Sequence, residues 1–423
     1  MFYVQCDVAV VGGGPAGLAA ALAAKRQGAH RVCIIERDKS LGGILQQCIH
    51  SGFGMTYFGE ELTGPEYAER FIEQTQREQI SVLTDATVLQ IEKGGRLICA
   101  SGEHGLSEIC AGSVVLSMGC RERTRGSLQI PGPRPAGIYT AGAAQRLMNR
   151  QNRLIGRKTV ILGSGDIGMI MARRMALEGV EVCAVVEIMP YLAGLVRNRV
   201  QCLEDFGIPL LLSHTITNIM GQRRVEGVQV QRVDKNRMPI KGTERFLECD
   251  TLLLSVGLIP ENEVTAKAGI ELDPVTKGPI VNQHMQTSNP AVFACGNAVH
   301  VNDLVDHVTM ESEVAGREAA RRALGLLPET AREAVCMAGD GVRYVCPQRL
   351  SLGADVDENA SLYFRVSSPV SACEIEVRSD QRTIASRRLD RANPGEMEKA
   401  TIRLRDVTGS CVTVSVKPVE GGK

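Results

Sequence analysis

The sequence predicts an α/β protein built on two copies of one strand, glycine loop, helix, strand plan, followed by a small antiparallel β domain. Three observations predict it. Apolar strand runs lead into glycine loops and apolar helices from Cys6 and again from Arg157. The carboxyl-terminal stretch from Ala331 to Lys423 instead alternates apolar and polar residues over short runs, the mark of half-buried strands. The chain has 423 residues, enough for two or three domains.

Charge and cysteine content narrow the function classes. Lys plus Arg number 48 and Asp plus Glu number 48, so no basic field exists to gather nucleic acid or anionic lipid. The most apolar stretch, Val8 to Ala24, is uncharged but too short for a bilayer span and is broken by Gly12 to Pro15, so no transmembrane segment is expected. The amino terminus reads as a strand without a secretory leader, and a cytoplasmic location is expected. Fourteen Cys are scattered without a Cys-x-x-Cys pair, as expected of reduced thiols.

In the first unit, Val8 to Val11 lead into Gly12-Gly-Gly14-Pro15-Ala16-Gly17 and an Ala/Leu-rich helix. A second strand, Arg31 to Ile35, ends at Glu36, nineteen residues beyond Gly17. A lone Gly-x-Gly-x-x-Gly is a weak signal. In this context it reads as a Rossmann-like dinucleotide fingerprint: Gly12 for the tight turn, Gly14 for backbone approach to a pyrophosphate, Gly17 for helix packing, and Glu36 for the ribose hydroxyls. Next, Thr63 and Glu66 form a capping box that opens a helix running through Glu78. Strands are expected at Ile80–Leu83, Thr87–Ile91, Arg96–Ala100, Ser107–Ala111 and Ser113–Ser117. Each half then has the three-layer ββα form. A Pro/Gly-rich linker, Gly126 to Gly137, marks a boundary.

In the second unit, Thr159 to Leu162 lead into Gly163-Ser-Gly165-Asp166-Ile167-Gly168, and Glu181 to Val186 end at Glu187, again nineteen residues on. Glu187 accepts from a 2′-hydroxyl and repels a 2′-phosphate, and Ile188 and Met189 supply no cation, so NAD(H) is preferred over NADP(H). The plain alternative is a structural unit that binds no nicotinamide. Strands follow at Pro209–Leu212, Val225–Val233 and Thr251–Ser255. In the last region, runs such as Leu362–Val366, Cys373–Val377 and Val412–Val416, with a turn at Asn393-Pro-Gly395, read most simply as a β-sandwich.

Two fingerprints 151 residues apart, with Ser117-Met-Gly119 and Ser255-Val-Gly257 closing two strands, resemble the FAD-dependent pyridine nucleotide-disulfide oxidoreductase family, and their spacing is thioredoxin-reductase-like. The segment Thr287 to Asn297, ending Cys295-Gly296-Asn297, is similar to the family strand whose Gly-Asp end meets the flavin ribityl chain and pyrophosphate, with Asn in place of Asp. The resemblance implies FAD at the first fingerprint. It assigns Gly12, Gly14, Pro15, Ala16, Gly17, Glu36, Arg37, Gly43, Val88, Gly119, Gly296 and Asn297 to FAD, and Gly163, Gly165, Asp166, Ile167, Gly168, Glu187 and Gly257 to NAD. It further implies an FAD-binding domain at 1–125 and 256–328, an NAD-binding domain at 126–255 and a β domain at 331–423. A helix from about Thr309 through Ala323 would aim its amino end at the flavin.

The redox Cys pair of many family members is missing, since Leu41-Gly42-Gly43 is followed by Cys48 alone, with His50 two residues on. Gly119-Cys-Arg121-Glu-Arg123, Gly137 to Gln145 and Cys295 to Asp306 narrow the resemblance to flavoprotein subunits such as those of opine oxidase, hydrogen cyanide synthase and glycerol-3-phosphate-dehydrogenase-associated complexes. The expected activity is hydride transfer between nicotinamide and flavin, with electrons exchanged with a partner dehydrogenase flavoprotein subunit. An iron–sulfur protein as a further partner, and hetero- or homo-oligomeric assembly, stay open. Two alternatives also stand: a self-sufficient NADH oxidase or thiol/persulfide reductase with Cys48 and His50 as catalytic residues, and a non-catalytic nucleotide-holding assembly subunit. Cys48 reads more plainly as an ordinary packed thiol. His300, Asp303, Asp306 and His307 suggest metal ligands or, more plainly, a polar loop, and no metal is expected because their spacing matches no closed site.

Overall fold

A computed structural model describes residues 2–92, 94–327, 331–353 and 358–419. The predicted domain ends at 1, 328 and 423 lie outside them. The chain divides into two compact units, Met1–Cys120 with Pro260–Lys423, and Arg121–Ile259.

The first unit is organised by five parallel strands in the spatial order Ser81–Leu83, Val32–Ile35, Phe2–Val11, Gly105–Leu116, Val292–Ala294. Val8, Val10, Ile34, Val114 and Val115 are fully buried, and each such side chain contributes about 1.5–3 kcal/mol. The two strands expected at 107–111 and 113–117 are one continuous strand, Gly105–Leu116. Its first half also pairs antiparallel with Arg96–Ser101, and its second half with Val292–Ala294, so cross-strand pairing carries the backbone straight through Gly112. The capping box forms: Thr63 Oγ1 accepts from the Glu66 amide and the Glu66 carboxylate from the Thr63 amide, opening the helix Gly64–Arg77.

The last helix of the fingerprint region begins at Val305, four residues before the expected start, and runs to Ala323. Asp306, a good first-turn residue at a helix amino end, extends it backwards. This helix crosses the helix Pro15–Arg26 at Gly316, where a Cβ would stand 2.0 Å from the Ala20 carbonyl oxygen. That crossing fixes the register of every side chain on the helix.

The described residues between 332 and 418 form a five-stranded sheet and a three-stranded sheet around an apolar core that includes Leu350, Leu362, Phe364, Ile375 and Val414. The pairs are antiparallel except one: Arg332–Ala338 runs parallel to Cys411–Pro418. The turn at Asn393-Pro-Gly395 joins the strands Arg382–Ala392 and Glu398–Arg403.

The second unit repeats the parallel layout. Its order is Leu210–Leu212, Glu181–Glu187, Lys158–Leu162, Thr251–Leu254, Ile138–Thr140, with a three-stranded antiparallel sheet, His214–Met220, Gly227–Arg232 and Arg245–Glu248, beside it. No helix among the described residues is long and apolar enough to cross a membrane.

Candidate functional site: two glycine loops and a third turn

In the first unit the strand Phe2–Val11 ends at Gly12, whose φ of +105° is left-handed. The helix Pro15–Arg26 starts from Gly14 with no side-chain cap and no acidic residue in its first turn. Its amide ends and dipole are therefore available to an anion. Backbone closeness is built in: a Cβ on Gly17 would stand 1.8 Å from the Gly12 carbonyl oxygen, and one on Gly43 would stand 2.9 Å from the Gly14 Cα. Glu36 is 6 % exposed; one oxygen accepts from the Gly13 amide at 2.6 Å and the other from the Asp38 amide at 2.7 Å. The carboxylate thus pins the loop as well as standing where a ribose would be read.

The second unit repeats this device. Gly163 is left-handed, and Glu187 accepts from the Ser164 amide at 2.9 Å, the Ser164 hydroxyl at 2.7 Å and the Met189 amide at 2.9 Å. The helix Asp166–Leu177 differs from its counterpart by a carboxylate in its first turn. Asp166 accepts from the Leu195 amide at 2.8 Å and from Asn198 Nδ2 at 2.6 Å, while the Ala193 amide donates to Ser164 Oγ at 3.0 Å. Residues 193–198 are thereby tied across the loop. Ile167 packs partly buried against the core of this unit.

The third element follows the strand Val292–Ala294. Gly296 is left-handed, and a Cβ there would stand 2.9 Å from that of Ala16, so this turn sits at the amino end of the first helix. Asn297 accepts from the Asn302 amide at 2.9 Å and donates to Cys120 Sγ at 3.7 Å. A carboxylate in its place would lack that donor. Gly119 and Gly257, each left-handed, end equivalent strands. Arg37 is exposed, and Val88 is 8 % exposed within the core of the first unit.

The four-residue polar cluster disperses into structural roles. His300 pairs with Glu311 at 2.7 Å, Asp303 pairs with Arg365 and accepts from the Met397 amide at 2.6 Å, and Asp306 accepts from the Gly54 and Thr56 amides at 3.1 and 2.7 Å. The His307 ring lies 6.5 Å from that of Tyr363. Among the described residues no group of three His, Cys, Asp or Glu is placed to hold a metal. Cys48 ends the short 3₁₀ turn Gly43–Gln47, its thiol donating to the Ile44 carbonyl at 3.3 Å. His50 Nδ1 lies 2.9 Å from the Ser51 carbonyl oxygen and its ring 5.0 Å from that of Phe53.

Sequence reasoning overlooked two serines and a glutamate. Ser117 Oγ donates to the Val11 carbonyl at 2.8 Å and Ser255 Oγ accepts from the Gly168 amide at 3.1 Å, each staking a glycine loop to the neighbouring strand. The shared Ser-x-Gly ending was the available signal. Glu311 had none, because one acidic residue on a helix face looks like any other.

The residues of the first loop fit FAD: an uncapped helix end for the pyrophosphate, a Gly14–Gly43 cradle that a Cβ would fill, and a buried carboxylate at the strand end. The second loop fits a pyridine nucleotide on the same grounds. The pyridine nucleotide-disulphide oxidoreductase family model matches residues 6–320, and the chain belongs to that family, whose members depend on FAD and pyridine nucleotide.

Among its relatives, an opine oxidase subunit of Agrobacterium tumefaciens is 25% identical over 75% of this chain and 65% of its own length. Hydrogen cyanide synthase subunit HcnB of Pseudomonas protegens is 24% identical over 68% of this chain and 65% of its own. The matched region thus spans just under two thirds of these relatives. Thioredoxin reductase of T. acidophilum superposes with a TM-score of 0.62 over 76% of this chain and 99% of that one at 24% identity, which shows the shared fold.

Proposed function

We propose that the chain is an FAD-dependent NAD(H) oxidoreductase that moves a hydride between nicotinamide and flavin and exchanges electrons with a partner dehydrogenase subunit. The observation that carries this reading is the repetition of one device in two units: a left-handed glycine, a loop pinned by a buried glutamate, and a helix amino end behind it. When bound, the two cofactors supply the redox chemistry. The chain's own residues bind and orient. In the first unit the amides around Gly14 to Gly17 meet the pyrophosphate, Glu36 meets the ribose, and the Gly296–Asn297 turn meets the ribityl side. In the second, Glu187 accepts from ribose hydroxyls and would repel a 2′-phosphate, which favours NAD(H) over NADP(H). Two of the relatives are named as components of larger enzymes, which supports a partner protein for this chain.

Anaerobic titration of the purified chain, first with NADH and then with NADPH, tests the reading through loss of the oxidised flavin absorbance. Bleaching by NADH at concentrations where NADPH has no effect is expected. A yellow protein that neither nucleotide bleaches, alone or with its dehydrogenase partner, would overturn it.

A further inference from the structure

The turn Gly296–Asn297 is held from behind by a buried charge pair that no fingerprint contains. Glu311, 6 % exposed on the helix Val305–Ala323, accepts from the Gly296 amide through Oε1 at 2.6 Å and meets His300 Nε2 through Oε2 at 2.7 Å. The His300 side chain is fully buried. Its Nδ1 makes no hydrogen bond, and the Cys346 thiol of the carboxyl-terminal β domain lies beside the imidazole. Tyr344 and Tyr363 of the same domain approach the imidazole edge-on and tilted, with ring centroids 6.2 and 6.0 Å away. Arg365 reaches from that domain to Asp303 and to the Val301 carbonyl, clasping the loop between His300 and the helix.

Burial pulls the imidazolium down, yet the Cys346 sulfur and the Glu311 carboxylate beside it outweigh burial and hold His300 well above its ordinary range. A buried carboxylate needs a counter-charge or several hydrogen-bond donors, and His300 supplies the counter-charge here. The Gly316 crossing fixes the height of Glu311 on its helix, and Gly296 touches Ala16 at the start of the first helix, so the pair sits one residue behind the fingerprint loop.

We propose that Glu311, neutralised by His300, is the positioning residue of the Gly296–Asn297 turn, and that the carboxyl-terminal β domain serves FAD retention by sealing this pair from water. The inference rests on the reading above that this turn belongs to the FAD site. Glu311 sets the direction of the Gly296 amide and, through it, of the Asn297 backbone and side chain. The β domain lowers the local dielectric and denies the pair to solvent, which strengthens it.

The test uses the full chain stripped of FAD and titrated with FAD, following quenching of flavin fluorescence, with thermal unfolding of each apo form measured alongside. If the wild-type chain binds no FAD, the functional reading fails and this inference is refuted with it. Given wild-type binding, Glu311→Ala is expected to weaken FAD by about tenfold or more, because a buried amide loses its acceptor. Glu311→Gln, which keeps an acceptor for Gly296 and offers a donor to neutral His300, is expected to stay within about threefold. His300→Leu alone strands a buried carboxylate and is expected to weaken FAD as much as Glu311→Ala, whereas His300→Leu with Glu311→Gln is expected to recover most of the affinity. Unchanged FAD affinity in Glu311→Ala, even with a lowered apo unfolding temperature, would reduce the pair to a packing feature and overturn the proposal. So would an additive double variant.

Discussion

The two units share four parallel strands in the same relative order, the same left-handed glycine and the same loop-pinning glutamate, around different helix ends. In the first, the amide end of Pro15–Arg26 is bare; in the second, the amide end of Asp166–Leu177 carries its own carboxylate, bound to residues 193–198. Backbone sterics therefore set the shape of both loops, and first-turn charge separates them. An uncapped helix end has unsatisfied N–H groups that favour permanent anionic occupancy, as suits a prosthetic group. A first-turn carboxylate already sets a negative charge against the helix dipole, so a pyrophosphate there gains less and leaves more readily, as suits an exchanging substrate.

The comparison can be broken at the glycines that let each helix approach its loop. A Cβ on Gly17 would stand 1.8 Å from a backbone carbonyl oxygen, which cannot move without opening the turn. One on Gly168 would meet the Ser255 side chain first, at 2.6 Å from its Cβ. Overpacking of this kind costs about 1–3 kcal/mol, and Gly17→Ala should reach or exceed the top of that range. Loss of bound FAD and a lower unfolding temperature are expected for Gly17→Ala, with a smaller drop for Gly168→Ala that leaves FAD content unchanged. Equal damage in thermal unfolding of the two variants would mean that the loops are not held by different neighbours.

Next in size is the glutamate of the second loop, which has two jobs that a variant can separate. Glu187→Ala removes the acceptor of the Ser164 and Met189 amides and of any ribose hydroxyl. Hydrogen bonds to a charged group contribute about 1.5–3 kcal/mol each, so NADH affinity should fall by roughly 10- to 100-fold. NADPH affinity should fall less, because the repulsion of the 2′-phosphate is relieved at the same time. Equal loss for both nucleotides, measured by calorimetric titration, would leave Glu187 as a loop pin without a part in discrimination.

Much of this was legible in the sequence because the signals are local. Glycine spacing, the acidic residue at each strand end and the Thr63–Glu66 box are read over a few residues; the glycine turns and the capping box form where expected, and Glu36 and Glu187 stand at their strand ends bound to their own loops. The strand break expected at Gly112 and the helix start expected at Thr309 failed for a different reason. Gly105–Leu116 is continuous because partners more than a hundred residues away in sequence pair with it, and Val305–Asp306 joins its helix while the Asp306 side chain holds Gly54 and Thr56. The Glu311–His300 pair is likewise tertiary: eleven residues apart, the two meet only because the helix turns back on its own turn. The Asp303–Arg365 clasp is further still from any local pattern. Long-range pairing decides such features, and a single sequence holds no local trace of it.

The smallest expected effect bears most directly on the difference between the helix ends. Asp166→Asn keeps an oxygen to accept from the Leu195 amide and removes the negative charge from the helix amino end. A charge in that position interacts with the helix dipole by about 0.3–1 kcal/mol, stabilising the helix and opposing an incoming pyrophosphate by a similar amount. The variant should therefore bind NADH about two- to fivefold more tightly at low ionic strength, with the gain shrinking at high salt as the charge is screened. Its unfolding temperature should fall slightly, since the helix loses a favourable first-turn carboxylate. If NADH instead binds more weakly, with no salt dependence, the anchoring of residues 193–198 by Asp166 outranks its charge, and the second loop is tuned by that tether and not by electrostatics. The same substitution thus separates the two ways in which a single carboxylate could make the second site looser than the first.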